Sequence, residues 1–306
     1  MFAKIARFEL RYQIKNPVFW VAVILFFLLT FGAMASEQIQ IGGGGNTHKN
    51  SPVVIMQMIL TLTLFFMFVT TAFVANVVVR DDDTNFGPII RSTRVTKLQY
   101  LLGRFSGATL AAALAFMVIP LGIWFGSLMP WIDAETLGPN RLRDYAYGYF
   151  VFGLPNLVVT AAIFFAAATI TRSMMWTYVA VIIFFLAWVI MSAIAAQKPE
   201  FRDAMALGEP FGIGAFGKTV RYWTAAERNT MLPPIEGVLL MNRLLWLTIG
   251  AAFLALAVLR YRFTEGSKVK KARKAEKLEK AEEAAPAFAA GPLPAPSNSG
   301  VAWTQL

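Results

Sequence analysis

Three consecutive carboxylates, Asp81-Asp82-Asp83, are the densest group of possible metal ligands in the chain. Residues at i, i+1 and i+2 do not share a helix face, and no spaced acids or glycine follow in the rhythm of a calcium loop. They read instead as a solvated helix end or a docking loop. Gly212-Ile213-Gly214-Ala215-Phe216-Gly217 matches the G-x-G-x-x-G pattern that lets a backbone approach a pyrophosphate, but no strand precedes it and Pro210 stands just before it. The glycines 42–45 are followed by Asn46-Thr47, where a phosphate loop needs Lys and Ser or Thr, so they read as a flexible turn. There is no cysteine, and His48 is the single histidine. Thiolate nucleophiles, disulfides, Cys-ligated metals, multi-His sites and His-based triads therefore have nothing to draw on. No catalytic, cofactor or metal site is expected on this chain.

The elements that hold these motifs are apolar. Of 306 residues 57% are apolar and 15% charged, against roughly 25% charged in a typical soluble domain. A soluble core of this size could not hide so much apolar surface. Crossing the ~30 Å hydrocarbon layer takes about 20 residues, and six uncharged runs qualify: 18–35, 53–79, 105–131, 147–171, 174–196 and 244–259. Ala33-Met34-Ala35 gives the first run some likeness to a signal peptide. The 15-residue amphipathic lead and the long apolar core favour a retained span.

The polar groups inside the runs are mild: Gln57, Thr61, Thr63, Thr70, Thr71, Asn76 and Asn156, with Pro155 interrupting the fourth. A charge at mid-span costs roughly 2.5–3.5 kcal/mol and is kept for function. Its absence argues against an ion-coupled carrier and against an intramembrane enzyme. With the N-terminus inside, the inner segments hold 19 of the 28 Lys and Arg residues and 9 of the 18 acids. The net charge of +10 thus lies on one side, as an orientation signal and a docking surface rather than a nucleic-acid site. Both termini are then cytoplasmic.

Lys4, Arg7, Arg11 and Lys15 form one basic stripe on a helix at the inner surface, opposite Phe2, Ile5, Ala6 and Tyr12. Attraction to anionic lipid alone would explain that stripe. Glu9 falls among the apolar positions and wants a cationic partner, from the next inner loop or another subunit. That loop runs from Arg80-Asp81 through Arg91, Arg94 and Lys97 to Arg104. Thr224-Ala225-Ala226-Glu227 resembles a capping box opening a short helix in the outer segment 197–243. Gly103-x-x-x-Gly107 and Gly122-x-x-x-Gly126 permit close helix approach, in a pattern common by chance in apolar sequence. Residues 268–283 alternate Lys or Arg with Glu and Ala, as an exposed charged helix would, and 284 onward reads as a disordered linker.

This layout resembles the membrane subunit of type-2 ABC exporters, the ABC-2 permeases of bacteria. The matching text is Phe8-Glu9-Leu10-Arg11 through Lys15-Asn16-Pro17, then Arg80-Asp81 with the loop ending Leu101-Leu102-Gly103-Arg104. Glu209-Pro210-Phe211-Gly212 with Arg221-Tyr222-Trp223-Thr224 completes it. The likeness covers about residues 1–263, and the layout carries more of it than any single motif. It implies an all-α polytopic fold: a cytoplasmic amphipathic helix at 1–16, a six-span domain at 17–262 with short outer re-entrant helices, and a tail at 263–306.

It further implies a non-catalytic permease in the bacterial inner membrane, paired with a second permease unit and driven by a separate ABC ATPase that binds ATP and Mg. Glu9, Arg11, Arg80, Asp81, Arg91, Arg94, Lys97 and Arg104 would couple to that ATPase. Glu209, Pro210, Phe211, Gly212, Arg221, Tyr222 and Trp223 would lie in the outer re-entrant region. The N-terminal text, with Gln38-Ile39-Gln40-Ile41 and the glycines after it, also resembles the front half of permease–aminopeptidase fusion proteins. This chain has no H-E-x-x-H, so the alternative it implies is a half-length membrane product. A non-transporting membrane scaffold is the remaining alternative.

Overall fold

Asn16-Pro17 turns the chain from its first helix into its second. In a computed structural model, α1 (Phe2–Lys15) ends at Asn16, which the following proline keeps extended. The Asn16 side chain then accepts the Val18 N–H at 3.0 Å, and Pro17 occupies the first turn of α2 (Pro17–Ala35), where an N–H is not needed. The structure describes residues 1–36, 39, 45–83 and 95–261, without the side chains of Asp82 and Asp83. Arg91, Arg94 and the expected charged helix and linker of the tail lie outside the described residues.

The long helix α3 (Pro52–Asp83) precedes α4 (Lys97–Phe116) and α5 (Val118–Gly126), then α6 (Leu142–Tyr147), a π turn (Gly148–Gly153) and α7 (Leu154–Thr171). After α8 (Met174–Gln197) come three short helices, α9 (Arg202–Gly208), α10 (Ile213–Thr219) and α11 (Ala225–Thr230), and then α12 (Gly237–Arg260). No strand occurs among the described residues. Six segments are long and apolar enough to cross a membrane: Pro17–Ala35, Pro52–Asp81, Lys97–Gly126, Leu142–Thr171, Met174–Gln197 and Gly237–Arg260. The chain is thus an all-α, multi-pass membrane protein. Prolines account for the two interrupted spans. Pro120 cannot donate to the Phe116 carbonyl, and the helix breaks at Met117. Pro155 leaves the Val151 carbonyl without its helical donor, and the π turn lies there.

Several helices run past the uncharged stretches of sequence. Span three starts at Lys97 rather than 105, span four at Leu142 rather than 147, and span six at Gly237 rather than 244. Arg104, Asp144 and Arg243 therefore lie inside candidate spans, which corrects the expectation of uncharged ones. Arg104 and Arg243 can be there because polar partners from their own chain surround them, and Asp144 accepts from Arg143 Nε at 3.4 Å. Span three also ends early, at Gly126. Trp131 lies in the following turn and donates to the Ala35 carbonyl at 3.0 Å.

The core forms around α3. Phe66 on α3 meets Phe26 of α2 and Phe116 of α4 edge-on, each at 5.0 Å between ring centres. The most buried spans are α3, α4–α5 and α6–α7, whereas α8 has 6% of its apolar window buried and α12 22%. Glycines allow two close helix crossings. A Cβ at Gly126 would stand 2.7 Å from the Met34 Cβ of α2, and one at Gly107 would stand 2.7 Å from the Glu9 Cβ of α1. Both Gly-x-x-x-Gly patterns are therefore used, one to seat α5 on α2 and the other to seat α1 on α4.

Candidate functional site

At the face that carries α1, Glu9 and Gln13 lie one helical turn apart on the side of α1 that faces the bundle, and both are buried. Lys4, Arg7, Arg11 and Lys15 remain exposed. Glu9 accepts the Gln13 amide at 2.8 Å, Arg80 Nη2 at 2.9 Å, and Arg104 Nη1. Arg104 extends the chain of contacts through Nη2 to Asp81 at 2.6 Å, where the Tyr100 hydroxyl also donates at 2.6 Å. Gln13 donates to the Phe73 carbonyl at 3.2 Å. The Arg80 guanidinium lies 3.8 Å over the Tyr12 ring. Two carboxylates and two guanidiniums, neutral as a set, thus join α1 to α3 and α4. Desolvating such charges is unfavourable, but removing one partner from a buried set costs about 3–5 kcal/mol, so the arrangement resists partial opening.

Burial corrects part of the expected docking set. Glu9, Asp81 and Arg104 are at most 4% exposed and bonded to one another, so they offer no surface to a second protein. Arg11 is exposed, and Lys97 donates to the Leu259 carbonyl at 3.3 Å, tying α4 to the end of α12. Glu9 finds its cations on α3 and α4 of its own chain.

At the opposite face a second buried network centres on Arg243. Its Nη1 donates to Asn156 of α7 at 2.6 Å and its Nη2 to the Asn242 side chain at 2.6 Å. Asn156 donates in turn to the Phe211 carbonyl at 2.8 Å and to the Thr63 hydroxyl of α3 at 3.2 Å. The Asn242 amide reaches the carbonyls of Ala206, Leu207 and Glu209 at 2.7–3.1 Å, satisfying the acceptors that the end of α9 leaves open. The Glu209 carboxylate accepts from Trp188 Nε1 at 2.8 Å and from the Phe211 and Gly214 N–H groups at 3.2 Å. Burial pushes the Glu209 carboxyl above the ordinary carboxylate range, against the opposing pull of these donors and of Arg243. Gly212 has φ +78°, and a Cβ there would collide with the Arg243 guanidinium, so only glycine fits.

The expected outer motif divides. Glu209, Pro210, Phe211 and Gly212 are buried in this network, whereas Arg221 and Tyr222 are exposed, the guanidinium 5.5 Å from the ring centre. Trp223 is partly buried against the core. Thr224 and Glu227 form the capping box of α11; the Thr224 N–H and hydroxyl hold the Glu227 carboxyl below its ordinary range. Asn229 at the end of α11 accepts the His48 N–H and donates to the Asn46 carbonyl, both at 2.9 Å.

Sequence reasoning missed Arg243, Asn242 and Trp188. The available signal was Asn156, an amide at mid-span that needs a partner, with Arg243 one residue before an apolar run. Among the described residues no three His, Cys, Asp or Glu side chains converge on a metal position. Both clusters instead lock helices together. No protein-family model and no curated protein sequence matches the chain.

Proposed function

We propose that the chain is the membrane-spanning permease subunit of a bacterial ABC transporter, an exporter in the cytoplasmic membrane that runs on ATP hydrolysed with Mg by a separate subunit. The observation that carries this reading is the clamp of Glu9, Arg80, Asp81 and Arg104, which ties a surface helix to the two spans flanking one loop. A force applied to α1 or to that loop acts on α3 and α4 together. On this reading both termini are cytoplasmic and two such units pair above two ATPase subunits. The exposed stripe of Lys4, Arg7, Arg11 and Lys15, with Arg91 and Arg94, meets the ATPase. Glu9, Asp81 and Arg104 are positioning residues that carry the motion into the bundle.

Affinity purification from native membranes in mild detergent tests the reading. A stoichiometric ATPase and a second permease copy are expected, and a lone monomer counts against it. Charge reversal at Arg7, Arg11, Arg91 and Arg94 should abolish ATPase co-purification and stimulated ATP hydrolysis. If both survive, these residues are not the docking surface.

A further inference from the structure

Where α8 ends, its last turn and the helices α9 and α10 enclose a cleft of about 350 Å³. Ala195, Arg202, Asp203, Gly217, Lys218 and Arg221 are among its lining residues. Three cations face one carboxylate there, and Lys218 Nζ engages that carboxylate at 2.7 Å. Arg202 Nε donates to the Ala195 carbonyl at 3.3 Å, which fixes the guanidinium at the rim and leaves its two Nη groups for another acceptor. Arg221 stacks beside Tyr222 and makes no ion pair among the described residues. A Cβ on Gly217 would meet only open space, so the cleft stays accessible at that point.

The cleft adjoins the least buried span. On the last turns of α8, Ile190, Met191 and Ile194 are 59%, 38% and 44% exposed, and Met191 lies one helical turn before Ala195 on the same face. An apolar wall that ends in two guanidiniums without carboxylate partners has the polarity of a phospholipid: acyl chains along the helix, phosphate at its end. Guanidinium groups suit this role because their planar fork of donors fits phosphate oxygens.

We propose that this cleft holds the phosphate of an anionic membrane phospholipid whose acyl chains lie along α8. Arg202 and Arg221 bind the phosphodiester, while Lys218 stays neutralised by Asp203. Free phosphate would use the two arginines but gain nothing from the apolar wall. The inference rests on the membrane-spanning fold and is independent of the transport reading.

Native mass spectrometry of the full chain, titrated with phosphatidylglycerol, is the test. One tightly held lipid is expected, with at least about tenfold weaker retention in the double variant Arg202→Gln/Arg221→Gln, which removes both charge-assisted phosphate contacts. Gly217→Leu fills the cleft and keeps both arginines, so it should lose the same lipid. Millimolar inorganic phosphate should not displace it. Unchanged retention in both variants overturns the proposal, as does displacement by inorganic phosphate, which would make this a site for the free ion. A photoreactive phosphatidylglycerol on the unmodified chain gives a readout independent of variant folding. Crosslinks concentrated on peptides containing Ile194 and Met205 support the site, and crosslinks spread evenly over all spans overturn it.

Discussion

At the α1 face four formal charges touch one another; at the opposite face Arg243 and Glu209 share one network without forming an ion pair. In the first cluster each charge is solvated by its opposite, and the contacts bridge helices far apart in sequence. In the second, amide side chains, an indole and backbone groups solvate one cation and one anion separately. Both solutions keep charge inside a bundle, but they differ in how they fail. Deleting a charge from the first strands another charge in the interior. Deleting one from the second strands dipoles and removes a non-contacting charge from the other's field, while the other keeps its own hydrogen-bond partners, which is a milder penalty. The first therefore behaves as a single joint between α1, α3 and α4. The second works as a set of separate ties that hold the α9–α10 segment against α7, α8 and α12.

Arg104→Met should produce the largest effect, because it leaves the buried Glu9 and Asp81 carboxylates with Arg80 as their remaining guanidinium. A loss of about 3–5 kcal/mol is expected, read as reversible unfolding in bicelles. Gly107→Val attacks the same joint by shape alone: its Cβ would run into the Ala6 carbonyl and the Glu9 side chain. A loss of about 3 kcal/mol is expected, the upper end for overpacking because backbone must move, together with faster proteolysis of α1. Arg243→Met removes the central cation of the opposite network, leaves the Asn156 and Asn242 oxygens without their donor and takes a non-contacting cation from Glu209, so about 1–3 kcal/mol is expected. Equal losses for Arg104→Met and Arg243→Met would show that the two networks fail alike.

The smallest effect concerns pH. Because burial raises the folded-state Glu209 carboxyl, the stability linked to it is fully present below the unfolded carboxylate pKa of about 4.3 and is lost as pH rises through the raised folded value. Glu209→Gln should flatten the fall in stability across that window. A variant whose slope matches the unmodified protein would place the titration elsewhere.

How much of this was legible in the sequence differs between the two clusters. Glu9 stood out as an acid on an apolar helix face, and Arg80, Asp81 and Arg104 were singled out with it. Their burial was not legible, because sequence shows charge but not which charges neutralise each other. The six spans were legible from apolar run length. Their ends were not, because a run that stops at the first charge stops short wherever that charge has a partner, as at Arg104 and Arg243. Gly103-x-x-x-Gly107 looked like a chance match, and only the α1 backbone lying against it distinguishes it from one.

Glu9 and Arg104 lock α1 to the bundle as one unit. A double-mutant cycle on Glu9→Gln and Arg104→Met, followed by unfolding in bicelles, tests it most directly. The double variant keeps Arg80 and Asp81, 3.9 Å apart, so the two charges that remain are opposite in sign. The double variant should lose less than the sum of the singles by about 2 kcal/mol or more. Additivity within about 0.5 kcal/mol would contradict it.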